Sequence, residues 1–166
     1  MIHAQLVRED QLKEMKQLGM IPSFFVAHVY YWGGVHRENF GEKRASFISP
    51  AKSAADLDMV YTFHQDTPVI QPNMMETIWC AVNRVSKEGT VLGKGQRLTP
   101  YEALKGITAN AAYQYFEETE KGTLEQGKKA DLTVLDKNPL KVPPEQLREI
   151  SVCAVVKEGK TLYSVT

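Results

Sequence analysis

The opening of the sequence does most to limit what the chain can fold into. Residues 2–7 (IHAQLV) read as an apolar strand. Residues 9–18 then place Leu12, Met15 and Leu18 on one helical stripe that stops at Gly19. A second apolar strand is expected at 23–29 (SFFVAHV). Strand, helix and strand in this order predict a parallel βαβ unit, since parallel neighbours need a crossover and a helix is the short way to make one.

Further along, residues 30–50 are rich in Gly, aromatic and charged residues and read as loop, followed by a short helix from Pro50 to Asp58. Residues 58–66 (DMVYTFHQD) read as another strand, with Val60, Thr62, His64 and Asp66 on one face. Pro72 is expected in the first turn of a helix that buries Met75, Ile78, Trp79, Val82 and Val85 and ends near Gly89. Thr99-Pro100-Tyr101-Glu102 predicts a capping box, with the buried stripe running on through Leu104, Ile107, Ala111 and Tyr115. Beyond about residue 118 the period changes to two. Strands are expected at 131–136, 151–156 and 160–165, the last two joined by a Glu158-Gly159 turn. This divides the chain into 1–117 and 118–166.

Composition narrows the function. The chain has 166 residues, with 20 basic and 20 acidic side chains and no formal net charge. Nucleic acid is therefore not expected as a partner, because phosphate binding needs a basic surplus. No apolar stretch is long enough to span a membrane and no basic-flanked apolar leader opens the sequence, so a cytoplasmic protein is expected. Cys80 and Cys153 lie in apolar stretches and read as buried, reduced thiols.

The residues able to do chemistry stand at the ends of apolar strands, where α/β folds bind ligands. His3, His28 and Asp66 occupy such ends, and His64 leaves its strand on the same face as Asp66. Two imidazoles and a carboxylate from neighbouring strands suit a divalent ion with an activated water. On spacing alone any one of these histidines reads more readily as a structural residue than as a ligand; only their convergence brings the two readings level. Tyr30, Tyr31 and Trp32 read either as a pocket wall beside His28 or as buried packing. His36 reads as a solvated loop residue, and Lys121, Lys128 and Lys129 read as a solvated cluster around a turn.

Residues 121–132 (KGTLEQGKKADL) resemble the G-x-L-x-x-G-K-x-A-D-[LF] signature of the amidohydrolase superfamily, and 99–112 (TPYEALKGITANAA) are similar to the helix before it. IHAQLV, FFVAHVYYWGG and FHQDTPV resemble its family-3 branch, which includes enzymes like N-substituted formamide deformylase. The resemblance implies an α/β fold: strands 5–8 of a TIM-like (β/α)8 barrel, then part of a small β-sandwich. It implies a divalent metal, zinc foremost, held by His3 after strand 5, His28 after strand 6 and Asp66 after strand 8. Asp66 would also serve as the catalytic base, while His64, Trp32 and Tyr31 would face a small-molecule substrate. The reaction would be hydrolysis of a non-peptide C–N bond of amide or formamide type.

One departure is large. The sequence contains no H-x-H pair, which the family uses for its other metal. The expectation is thus a C-terminal part with half a metal site, inactive when isolated and paired into a homo-oligomer through its open barrel edges. The competing expectation is a catalytically silent fragment, or a small-molecule-binding or oligomerisation module that retains the fold.

Overall fold

In the computed structural model, which describes residues 1–165, strands β1 (Ile2–His3), β2 (Ser23–Phe24) and β3 (Thr62–Phe63) form a parallel sheet in the order β1-β2-β3. Ile2 pairs with Ser23, and Phe24 lies between His3 and Phe63. The expected parallel unit is present, with helix α1 (Glu9–Gln17) as its crossover. Leu12 and Met15 are buried, whereas Leu18 lies past the helix end and is exposed.

The strands are far shorter than the apolar runs that contain them, because the chain turns out of the ladder at each carboxyl end. His3 and Ala4 adopt left-handed backbone angles (φ 63° and 45°), as does Asp66 (φ 51°). Such angles are uncommon outside glycine and concentrate at functional sites.

The expected loop at 30–50 is mostly helix. Helix α2 (His28–Ala45) follows β2 after three residues and breaks at Gly41, whose φ of 74° is non-helical. Gly33 is used for close packing. A side chain at Gly33 would stand 3.0 Å from Ser86 and 3.2 Å from Leu92. Helix α3 (Ala51–Asp56) then leads to β3.

Helix α4 (Met74–Asn83) starts at Asn73, whose side chain accepts the Glu76 N–H at 3.0 Å, so Pro72 lies outside it. It ends at Arg84 (φ 51°), short of Gly89, and Val85 instead bridges Val91. Arg84 is fully buried. Its guanidinium donates to the carbonyls of Leu92 (2.8 Å), Ser49 (3.2 Å) and Ile48 (2.7 Å), tying the segment at Leu92 to the one at Ile48 and Ser49. Burial lowers its pKa to about 10.

Helix α5 (Pro100–Ile107) carries the expected capping box. Thr99 N–H donates to Glu102 Oε2 at 2.7 Å, and Glu102 N–H donates back to Thr99 Oγ1 at 3.2 Å. The expected continuous stripe is broken at Thr108, beyond which helix α6 (Ala109–Gln114) begins.

The last segment holds an antiparallel sheet of β4 (Leu132–Leu135), β5 (Val152–Lys157) and β6 (Lys160–Ser164), close to the expected ranges. It forms one layer among the described residues. A short 3-10 turn (Pro144–Glu149) fastens this segment to α4. Leu147 is fully buried there, Trp79 Nε1 donates to the Glu145 carbonyl at 3.0 Å, and the Arg148 guanidinium lies 4.4 Å over the Trp79 ring. Burying a side chain the size of Leu147 contributes about 1.5–3 kcal/mol.

The KGTLEQGKKADL turn packs on α6. A side chain at Gly122 (φ 95°) would stand 2.6 Å from Ala112. Lys128 is not part of a solvated cluster. It is 14% exposed, and its ammonium donates to the Glu118 carbonyl at 2.7 Å and to Thr123. No helix among the described residues is long and apolar enough to cross a membrane.

Candidate metal centre

All four histidines of the sequence gather at the carboxyl ends of the parallel strands. His3 ends β1, and His64 directly follows β3. His64 Nε2 lies 2.9 Å from His3 Nδ1, while its Nδ1 lies 2.9 Å from Ser23 Oγ. Ser23 is buried in β2, so the middle strand fixes the orientation of the ring on its neighbour. Burial, and then the adjacent His3, lower the pKa of His64.

Three residues converge as potential ligands. One donor atom each from His3, His64 and Asp66 all lie within 4.8 Å of one another. Asp66 is exposed, with its carboxylate at the mouth of the group. The donor set fits a divalent ion, since two imidazoles and a carboxylate offer nitrogen and oxygen ligands. A cavity of about 280 Å³ opens onto this group and is lined by Ser23, Thr62, His64, Asp66 and Gln114. A larger cleft of about 1110 Å³ lies elsewhere, between Leu104, Ile107 and Ala111 on one side and Leu132, Leu135 and Val152 on the other. Its walls are mainly apolar and none of the four histidines lines it, so it is not the seat of the chemistry.

His28 stands beside the group and is not among the three converging ligands. Its ring centre is 5.8 Å from His3, 4.3 Å from Phe25 and 5.5 Å from Trp32. Burial, followed by the neighbouring His36, lowers its pKa to about 4, and its Nδ1 is buried without a partner. Trp32 packs edge-on against the His28 ring. Tyr31 does not face it: its hydroxyl donates to Glu76 at 2.8 Å, and Lys87 sits 4.5 Å over its ring. Burial and Glu76 raise that phenol to about 12.

His36 is not a solvated loop residue. It lies on α2, stacks on Phe40 at 5.5 Å and holds Gln5 through its Nε2 at 2.7 Å. The sequence does carry a signal for this, since His28, Trp32, His36 and Phe40 are spaced four apart and so share one helical face. That spacing has meaning only once residues 30–40 are read as helix.

The amidohydrolase family profile matches residues 1–163, nearly the whole chain. The chain belongs to the amidohydrolase family. Among other amidohydrolases and related proteins, it is 29% identical over 165 residues to the N-substituted formamide deformylase of Arthrobacter pascens, covering 99% of this chain and 30% of that protein. Two solved structures are similar at 30% identity, both of uncharacterized metal-dependent hydrolases. That of Pyrococcus horikoshii OT3 has a TM-score of 0.75 over 86% of this chain and 29% of its own. That of Pyrococcus furiosus has a TM-score of 0.71 over 84% and 28%. The chain thus spans about three tenths of the length of these relatives. Membership of the amidohydrolase family accords with a set of metal-donor side chains at the strand ends.

Proposed function

We propose that this chain supplies the His3–His64–Asp66 half-site of a metal-dependent hydrolase acting on non-peptide C–N bonds of amide or formamide type. The carrying observation is the convergence of those three side chains from the carboxyl ends of β1 and β3, the two strands that flank β2. The three strands lie side by side, which leaves no room for another between β2 and β3. With Asp66 following the last barrel strand, His3 and His28 follow the two immediately before it, strands 6 and 7 rather than 5 and 6. Residues 1–117 are then the end of a TIM-like barrel and 118–166 part of a β-sandwich.

His3, His64 and Asp66 would hold the ion, for which zinc is the best match. When bound, it polarises the substrate carbonyl and acidifies water. The Asp66 carboxylate accepts a proton from the attacking water as its oxygen bonds to the carbonyl carbon. The same carboxyl then delivers that proton to the nitrogen as the C–N bond breaks, giving an acid and an amine. Ser23 holds the His64 ring in place, and Trp32 walls the substrate side. The free edges of β1 and β3 suit pairing with another chain, Ile2 being 62% exposed, and light scattering that returned a monomer would overturn that part.

The test is release of amine from N-formyl and N-acyl amines by the zinc-loaded chain, with Asp66→Asn as control. A loss of about 10²-fold or more in the variant is expected for removal of a proton-transfer group. If zinc content and turnover are the same in wild type, Asp66→Asn and His64→Ala, this assignment of the site is wrong. A chain that holds zinc through these residues without turnover would instead be a binding module.

A further inference from the structure

Two buried imidazole nitrogens outside the three-residue group have no partner: Nδ1 of His28 and Nδ1 of His36. An unsatisfied buried polar atom costs about 1–3 kcal/mol, and such atoms are rare unless a water, an ion or a ligand completes them. Here two occur in neighbouring rings. The ring centres are 5.9 Å apart with planes at 82°. Two imidazoles each about 2.1 Å from a shared zinc-like ion have ring centres roughly 5–6 Å apart. The pair therefore stands near the spacing a common ion requires.

The surroundings agree with that use. Phe25 and Trp32 pack on His28, and Phe40 stacks on His36, so aromatic rings flank both imidazoles. The Gln5 carboxamide sits 2.7 Å from His36 Nε2. With its oxygen turned to that nitrogen, it accepts the Nε2–H and leaves the lone pair on Nδ1. A ligating histidine is commonly oriented in this way through its other nitrogen.

We propose that His28 and His36 form a second cation site, distinct from the His3–His64–Asp66 group, for an imidazole-preferring ion of the zinc class whose coordination water completes. The pair contains no carboxylate, so magnesium and calcium, which take oxygen ligands, do not compete for it. The site does not depend on the hydrolase reading, since it uses neither Asp66 nor His64.

The experiment is a zinc titration of the native chain, with elemental analysis after desalting, alongside His36→Ala, His64→Ala and the double variant. Wild type is expected to retain about two equivalents, each single variant about one and the double variant none, as separate sites require. Excess magnesium should displace nothing from the His28–His36 pair. If His36→Ala retains as much zinc as wild type, the second site is overturned, whatever His64→Ala does. If only His64→Ala is without effect, the three-residue site fails and this one stands. Nitrogen-15 spectra of the imidazoles in the unmutated chain guard against a misfolded variant. Zinc should shift Nδ1 of both His28 and His36, and unchanged resonances would mean that only water fills the gap.

Discussion

His64 Nε2 and His3 Nδ1, from residues 61 positions apart, lie 2.9 Å from each other. Two nitrogens at that distance share one proton, so at any moment one donates and the other offers its lone pair. An ion that takes both nitrogens must expel that proton. Zinc binding is therefore expected to release protons and to weaken as pH falls. Calorimetry in buffers of different ionisation enthalpy checks this. Heats that do not vary with buffer would mean that zinc binds elsewhere.

A pH effect on stability follows from His28. Its folded pKa is about 4, below the unfolded value of about 6.5. The folded state thus resists protonation while the unfolded state accepts it. Stability is present in full above about 6.5 and is lost progressively as pH falls towards 4. His36 and His64 are displaced in the same direction and add to the slope. Urea midpoints should fall between pH 7.5 and pH 5, and His28→Asn should flatten that fall.

Arg84 is the side chain whose loss should cost most among those with polar contacts. Its three carbonyl acceptors are buried with it, and no carboxylate is bonded to it. Arg84→Met leaves those acceptors unpaired, and a loss of about 3–5 kcal/mol is expected. Arg84→Lys should rescue little, because one ammonium cannot span three carbonyls that a planar fork reaches. Denaturant titration would read the difference, and a cost below about 1 kcal/mol would show that water satisfies those acceptors.

Gly106 sets helix propensity against packing. Replacing it with Ala within α5 should gain about 1 kcal/mol in propensity. The added methyl, however, would stand 2.6 Å from the Phe63 ring. Overpacking of that kind costs about 1–3 kcal/mol, so net destabilisation is expected. Phe63 directly precedes His64, so zinc affinity should fall as well. Gly95→Ala, where nothing lies within 4 Å, serves as the neutral control in thermal melts.

Local signals that agree with one another were legible in the sequence. The α5 capping box needs only Thr99, Pro100 and Glu102, all in contact along the chain. The parallel β1-α1-β2 unit is written in periodicity, and His3 and Asp66 could be picked out as polar residues ending apolar runs. Helix α2 was not legible, because Gly33, Gly34 and Gly41 read as loop punctuation. Gly33 is in fact required by the approach of Ser86 and Leu92, which follow some fifty residues later. With α2 hidden, the His28–Trp32–His36–Phe40 face was hidden too. Lys128 was misread for a similar reason: nothing local reveals that its ammonium caps the Glu118 carbonyl. The place of His64 among the ligands depends on register, since only the pairing of β1, β2 and β3 brings it to His3.

The two tryptophans of the sequence stand at different places in the molecule. Trp32 lies 5.5 Å from His28, while Trp79 bears Arg148 and holds the turn that carries the antiparallel sheet. The chain therefore has an intrinsic fluorophore beside its imidazoles and another where its two sheets are fastened together. With each replaced in turn by phenylalanine, ligand binding and the detachment of the C-terminal segment become separately observable by emission alone.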